Sequence, residues 1–302
     1  MKMKKFITML MVTAMTAGLA AGCGNTEADS SSDDSSAAWD SSMDITIVSR
    51  EDGSGTRGAF IELFGIEVKD ESGEKIDMTT EEAQITNSTS VMMTTVAGDE
   101  YAIGYVSMGS MDDSVKAVKI DGAEATAENV KNGSYKVSRP FNIATREDME
   151  NEAADDFINF ILSKDGQAIV TENGYIALDT AAEFKTTGAK GKVVVGGSSS
   201  VAPVMEKLIE TYKAINPNAE IELQTTDSTT GMTSAIDGSY DIGMASRELK
   251  DEEIAEGLVG KVIATDGIAV IVNLNNPTED MTADQVNKFY VGEAYTWDEV
   301  AE

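Results

Sequence analysis

The chain has 302 residues, 41% of them hydrophobic, with 53 acidic and 23 basic side chains, no histidine and one cysteine. A formal charge of −30 repels nucleic acid and anionic membrane and argues against both as partners. The missing histidine excludes serine–histidine, cysteine–histidine and His-ligated zinc chemistry within this chain.

Lys2, Lys4 and Lys5 precede an apolar run over 6–21, and small residues then lead to Cys23. This is the pattern of a secretory signal peptide, predicted over 1–22. Cys23 resembles the lipidated cysteine of a bacterial lipoprotein. That likeness implies a protein at the extracytoplasmic face of the cell membrane, attached through lipid only. Residues 23–43 are rich in Ser and Asp, bury too little to order themselves, and read as a tether.

From Asp44 onward, short β-like runs alternate with amphipathic segments, which predicts an α/β architecture. Strands are expected at 45–48, 102–106, 192–195, 220–224 and 268–272. Helices are expected at 153–162, 202–215, 230–237, 250–256 and 283–290. A length near 300 residues favours two lobes over one, and TTGAKGK at 186–192 divides the chain.

After the first strand, Gly53-Ser54-Gly55-Thr56-Arg57-Gly58 fits the spacing of a dinucleotide-binding turn. That reading needs a second strand ending in an acid about twenty residues later. Here the region is EVKDESGEKIDMTT, polar and turn-like, and no lysine of a Walker loop follows the glycines. Nucleotide binding is set aside.

Four small-polar clusters stand between a predicted strand and a predicted helix: 52–56, 197–200, 227–231 and 245–247. One such cluster is most simply an N-cap. Four together, with glycines that bare the backbone, make a cradle for a small oxyanion from helix N-termini and neutral hydroxyl donors. Arg50 adds a planar charged fork suited to a tetrahedral anion.

These segments together resemble the phosphate-binding lipoproteins of bacterial ABC importers, the PstS-type periplasmic-binding-protein family. The likeness rests on SREDGSGTR, GGSSSVAPVMEKLIETYKAINPNAEIELQ, GMTSAIDGSYDIGMASRELKDEE and FINFILSKDGQAIVTENGYIAL, and covers nearly all of the chain from Asp44. In the family the GSSS-type segment precedes the DGSGT segment, whereas here it follows. The resemblance therefore implies the two-lobed type II (Venus-flytrap) α/β fold with its halves circularly permuted, TTGAKGK joining the family's usual ends. Lobe one is expected from 44–106 with 277–302, and lobe two from 107–276. Crossovers near 105–111 and 272–276 would form a hinge.

Carried over, the family's phosphate ligands fall on Arg50, Ser54, Gly55, Thr56, Ser199, Ser200 and Ser228. Its acidic acceptor for the phosphate proton falls on Ser246, with Asp227 or Glu248 as possible substitutes. Asp52 is expected to orient Arg50, and Thr229 and Arg247 to give support; the alternative for Arg247 is a pair with a surface carboxylate. The resemblance implies a monomeric receptor that takes inorganic phosphate to an ABC permease, with no catalytic residue, cofactor or metal. Two alternatives stand beside it: a receptor for sulfate or molybdate, and a phosphate-sensing lipoprotein without a transport role.

Overall fold

The computed structural model describes residues 39–180 and 182–300. The expected signal segment, Cys23 and the expected tether up to residue 38 lie outside the described residues. Among the described residues no helix is long and apolar enough to cross a membrane.

The first part of the chain forms β1 (Thr46–Arg50), α1 (Gly55–Leu63), β2 (Glu67–Lys69), β3 (Lys75–Asp77), β4 (Gln84–Thr86), α2 (Thr89–Ala97) and β5 (Ala102–Ser107). Then come β6 (Val115–Ala117), β7 (Lys119–Ile120), α3 (Ala127–Asn132), β8 (Ser138–Arg146), α4 (Glu152–Ile161) and α5 (Lys164–Glu172). The second part adds β9 (Gly191–Ser198), α6 (Ala202–Ile215), β10 (Ala219–Thr226), α7 (Ser228–Ile236) and β11 (Ile242–Ala245). It ends with α8 (Asp251–Ala255), β12 (Leu258–Asn273), β13 (Asp280–Met281) and α9 (Ala283–Tyr290).

The expected strands and helices all form. Helices α6 and α9 keep the predicted bounds, because an apolar stripe coincides with clear start signals. Pro203 sits in the first turn of α6, and Thr282 and Gln285 make a capping box on α9. EVKDESGEKIDMTT, read as turn-like, contains a small antiparallel hairpin of β2 and β3, with Val68 opposite Ile76. It is almost wholly exposed, which is why no alternating pattern marks it.

Eight strands follow the order β10-β9-β11-β8-β12-β5-β1-β4. Strand β1 runs parallel to β4 and β5, and β9 runs parallel to β10 and β11. In both groups a strand leads directly into a helix, so helix N-termini gather at the carboxyl ends of the strands. That is where open α/β sheets place ligands. The long strand β12 runs antiparallel to β8 over its first part and to β5 over its second.

Two large hydrophobic cores lie along this path. One gathers Val48, Phe60, Tyr105, Val118, Tyr135, Ile268–Val272, Phe289 and Trp297. The other gathers Phe141, Phe157, Val195, Leu208, Tyr212, Met244 and Ile263. The expected split at 106/107 and 276/277 does not match this division. Residues 115–137 and 268–272 pack in the first core, so the chain crosses at Val137–Arg139 and within β12 between Ala264 and Ile268. The buried ion pair Arg139–Asp266, 3.1 Å apart, sits at this crossing, and Ser107 Oγ donates to Asp266 at 2.9 Å. Burial disfavours both charges, pushing the Asp266 carboxyl up to about 6 and the Arg139 guanidinium down.

Residues 39–43, placed in the expected tether, belong to the folded body. Trp39 stacks on Tyr101 with ring centroids 5.6 Å apart and meets Trp297 edge-on at 5.9 Å. Asp298 N donates to Ser41 O at 3.0 Å, and Asp44 bridges Thr296, so the first and last described segments meet.

The dividing segment 186–192 is also tied down. Asp156 accepts from Thr187 N at 2.8 Å, from Thr186 Oγ1 at 2.7 Å and from Tyr212 Oη at 2.7 Å. Burial opposes the Asp156 charge, but these hydrogen bonds outweigh it and hold the carboxyl below its ordinary 3.8. A depressed folded value means that the stabilisation is present above pH 3.8 and is lost as pH falls through the lower folded value. Asp156→Ala should therefore cost roughly 1–3 kcal/mol in urea unfolding at pH 7. The gap between variant and wild type should shrink steadily below pH 3.8.

Candidate anion site

The aromatic core sets the position of the first site residue. Phe60 stacks on Tyr105 with ring centroids 3.9 Å apart. Tyr105 Oη accepts from Arg50 N at 3.0 Å and bonds Ser49 Oγ at 2.9 Å, fixing the end of β1. Arg50 is therefore buried, with its side chain 2% exposed. Its Nη2 donates to Ser199 Oγ at 3.1 Å, across from the first half of the sheet to the second.

Around this contact the structure brings together hydroxyls from both halves. Thr56 Oγ1 and Ser200 Oγ are 2.8 Å apart. Ser198 Oγ donates to Ser246 Oγ at 2.9 Å, and Ser228 Oγ accepts from Ser246 N at 3.1 Å. Ser200, Ser228 and Ser246 are fully buried. Gly55 closes the space between the two groups. A Cβ there would lie 2.5 Å from Ser228 Oγ and 2.9 Å from Ser246 Oγ, so only glycine permits this approach of the α1 N-terminus.

Helices α1, α2, α6 and α7 all begin at this cluster. Ser54 caps α1 by accepting from Arg57 N at 3.3 Å, and Asp227 caps α7 by accepting from Thr230 N at 2.8 Å. Their first-turn N–H groups and partial positive charge make the place suited to an anion.

Most residues singled out in the sequence meet here: Arg50, Ser54, Gly55, Thr56, Ser199, Ser200, Ser228 and Ser246. Four expectations are corrected. Asp52 does not orient Arg50; it is exposed and pairs with Arg57 Nη1 at 2.9 Å. Glu51 takes that role, accepting from Arg50 Nε at 2.8 Å and Nη2 at 2.7 Å, because the turn after β1 folds Glu51 back toward the guanidinium. The cluster at 245–247 does not start a helix: Ser246 follows the end of β11, and α8 begins only at Asp251. Arg247 pairs with no surface carboxylate but with the buried Glu253, through Nη2 at 2.7 Å and Nη1 at 2.9 Å. Burial disfavours the Glu253 charge, yet bonds from Arg247 and Lys250 N hold it below the usual carboxylate range. Of the substitutes for a proton acceptor, Asp227 is committed to capping Thr230 and Glu248 is exposed. Thr229 does lie at the margin, accepting from Arg247 Nη2 at 3.4 Å.

Two members escaped sequence reasoning. Thr89, the first residue of α2, has Oγ1 3.3 Å from Ser199 Oγ, 3.2 Å from Ser200 Oγ and 3.4 Å from Arg50 Nη1. Its signal was a fifth polar cluster, Asn87-Ser88-Thr89, between a short strand and a helix. Ser198 was inside a recognised cluster but not singled out. Beside the site lies a cleft of about 490 Å³, lined by Ser54, Arg57, Thr229, Arg247 and Lys250 among others.

A family model for the PBP superfamily domain matches residues 21–165 and 182–302. The chain is 54% identical to phosphate-binding protein PstS 2 of Streptococcus agalactiae over 302 residues, the full length of both. It is 41% identical to phosphate-binding protein PstS 2 of Streptococcus pneumoniae over 301 residues, 99% of this chain and all of that protein. It also resembles a crystal structure of a phosphate-binding protein of a phosphate ABC transporter from Streptococcus pneumoniae TIGR4. That match has 43% identity and a TM-score of 0.67, and covers 85% of this chain and all of that one. The resemblance noted from SREDGSGTR and its companion segments is borne out, as is the two-lobed α/β fold: the chain belongs to the PBP superfamily and, within it, to the PstS family.

Proposed function

We propose that this protein captures inorganic phosphate outside the cytoplasm and delivers it to the permease of an ABC importer. The observation that carries this reading is the buried hydroxyl cluster bridged by Arg50, with donors from both lobes and four helix N-termini. The names of the full-length relatives support it. Arg50, Ser54, Gly55, Thr56, Ser199, Ser200, Ser228 and Ser246 are the proposed ligands, and Glu51 keeps the Arg50 fork in place. The protein acts as a monomer and performs no chemistry; closure of the lobes about the strand crossing at Arg139 and Asp266 retains the anion, and opening releases it. A lipid on Cys23 holds it at the membrane.

The order of the halves is a circular permutation in this reading. The meeting of the first and last described segments supports it, since those segments would be continuous in the unpermuted order.

Calorimetry with phosphate should show tight one-to-one binding. Arg50→Ala should weaken it on the order of a hundredfold or more, because Glu51 is then left unpaired beside the anion. Binding of sulfate or molybdate with no phosphate binding would overturn the phosphate assignment. Gly55→Ala tests closure: the added methyl meets Ser228 and Ser246. The variant should still fold, the methyl being accommodated where the lobes part, while losing phosphate binding; circular dichroism and calorimetry check the two. Unchanged affinity would place the anion elsewhere.

A further inference from the structure

The members of the hydroxyl cluster differ from its two cations in one respect that bears on which anions fit. Thr56, Thr89, Ser198, Ser199, Ser200, Ser228 and Ser246 bond to one another, to Arg50 or to backbone N–H groups. Among the described residues no carboxylate oxygen accepts a hydrogen bond from any of them. The nearest acids are engaged elsewhere: Glu51 by two bonds from Arg50, Glu253 by two bonds from Arg247, and Asp227 by Thr230.

An ionised carboxylate only accepts, so it demands a proton on the bound anion and repels one that has none. A hydroxyl both donates and accepts, and its hydrogen rotates to suit the partner. Ser246 Oγ accepts from Ser198 Oγ and lies 3.4 Å from Ser228 Oγ, where either oxygen can donate. Toward the OH of hydrogen phosphate it would turn a lone pair, and toward a bare oxygen it would turn its hydrogen. Neither anion leaves a buried group unsatisfied.

Resting on the phosphate reading above, we propose that this site takes tetrahedral dianions whether or not they carry a proton, and that sulfate is a second ligand. Both anions carry the same charge near pH 8, so Arg50 does not separate them. A site built to hydrogen-bond a substrate OH rejects the analogue lacking it by about 10⁴–10⁵-fold, because its own buried groups are then left unpaired. Here neither anion leaves a group unpaired, so discrimination falls below that range.

The test is calorimetric titration of the protein with sodium phosphate and with sodium sulfate at pH 8 in chloride buffer. Saturable sulfate binding, competitive with phosphate and weaker by less than about 10⁴-fold, is the expected result. Ser246→Asp, which supplies an acceptor between Ser198 and Ser228, should then lose sulfate at least tenfold more than phosphate. Tight phosphate binding with sulfate weaker by about 10⁴-fold or more overturns the proposal and leaves the phosphate reading intact. Binding of neither anion overturns the site assignment and this proposal with it. The wild-type ratio decides the matter even where Ser246→Asp does not fold.

Discussion

The hydrogen bond from Arg50 to Ser199 joins the two halves of the sheet, and the rest of the site is arranged around the constraint it expresses. A chain with a formal charge of −30 has to hold an anion. Exposed carboxylates act over distance, but salt screens them beyond about 8 Å at physiological ionic strength. Donors at 3 Å inside a buried cluster act in a lower effective dielectric and outweigh that distant field. Ser200, Ser228 and Ser246 are wholly shielded from solvent, so the short-range terms govern. Because the hydroxyls already bond one another, an arriving anion exchanges bonds with them instead of meeting a set of unsatisfied donors.

The arginines follow the same logic. An unpaired guanidinium buried at Arg50 or Arg247 would carry a large desolvation cost. Glu51 and Glu253 each engage theirs through two bonds, which fixes the plane of the fork and cancels most of its charge. What remains directed at the anion is geometry: the edge of the Arg50 fork that faces Ser199 and Thr89, and the N–H groups of four helix starts. A cradle of this kind binds through the number and placement of donors.

Much of this was legible in the sequence because the informative residues are local. A strand, a glycine or two, and a run of hydroxyls before an apolar stripe announce a helix start, and SREDGSGTR, GSSS and DSTTG all did so. Thr89 was not legible, since Asn87-Ser88-Thr89 alone is indistinguishable from an ordinary cap. Only the fold brings its Oγ1 to Ser199 and Ser200. The Glu51-for-Asp52 exchange has a similar cause. Two adjacent acids in a turn point different ways, and the backbone of that turn decides which one faces Arg50. The lobe division was hidden in LVGKVIATDGIAVIVN. Asp266-Gly267 reads as a break, yet pairing with β8 and β5 on successive stretches carries one strand through it.

The proposed permutation is compatible with the site for a topological reason. The joint at 186–192 leads into the amino end of β9, and the meeting of Asp44 with Thr296 lies at the amino end of β1. The hydroxyl cluster is built at the opposite, carboxyl ends of these strands, where β1 leads to α1, β9 to α6 and β10 to α7. Cutting and rejoining the chain at amino ends alters neither the parallel pairing of β9 with β10 nor the approach of Gly55 to Ser228. Each anchor of the site is a strand–turn–helix unit kept whole, so the order in which the two halves are threaded leaves the cradle unchanged.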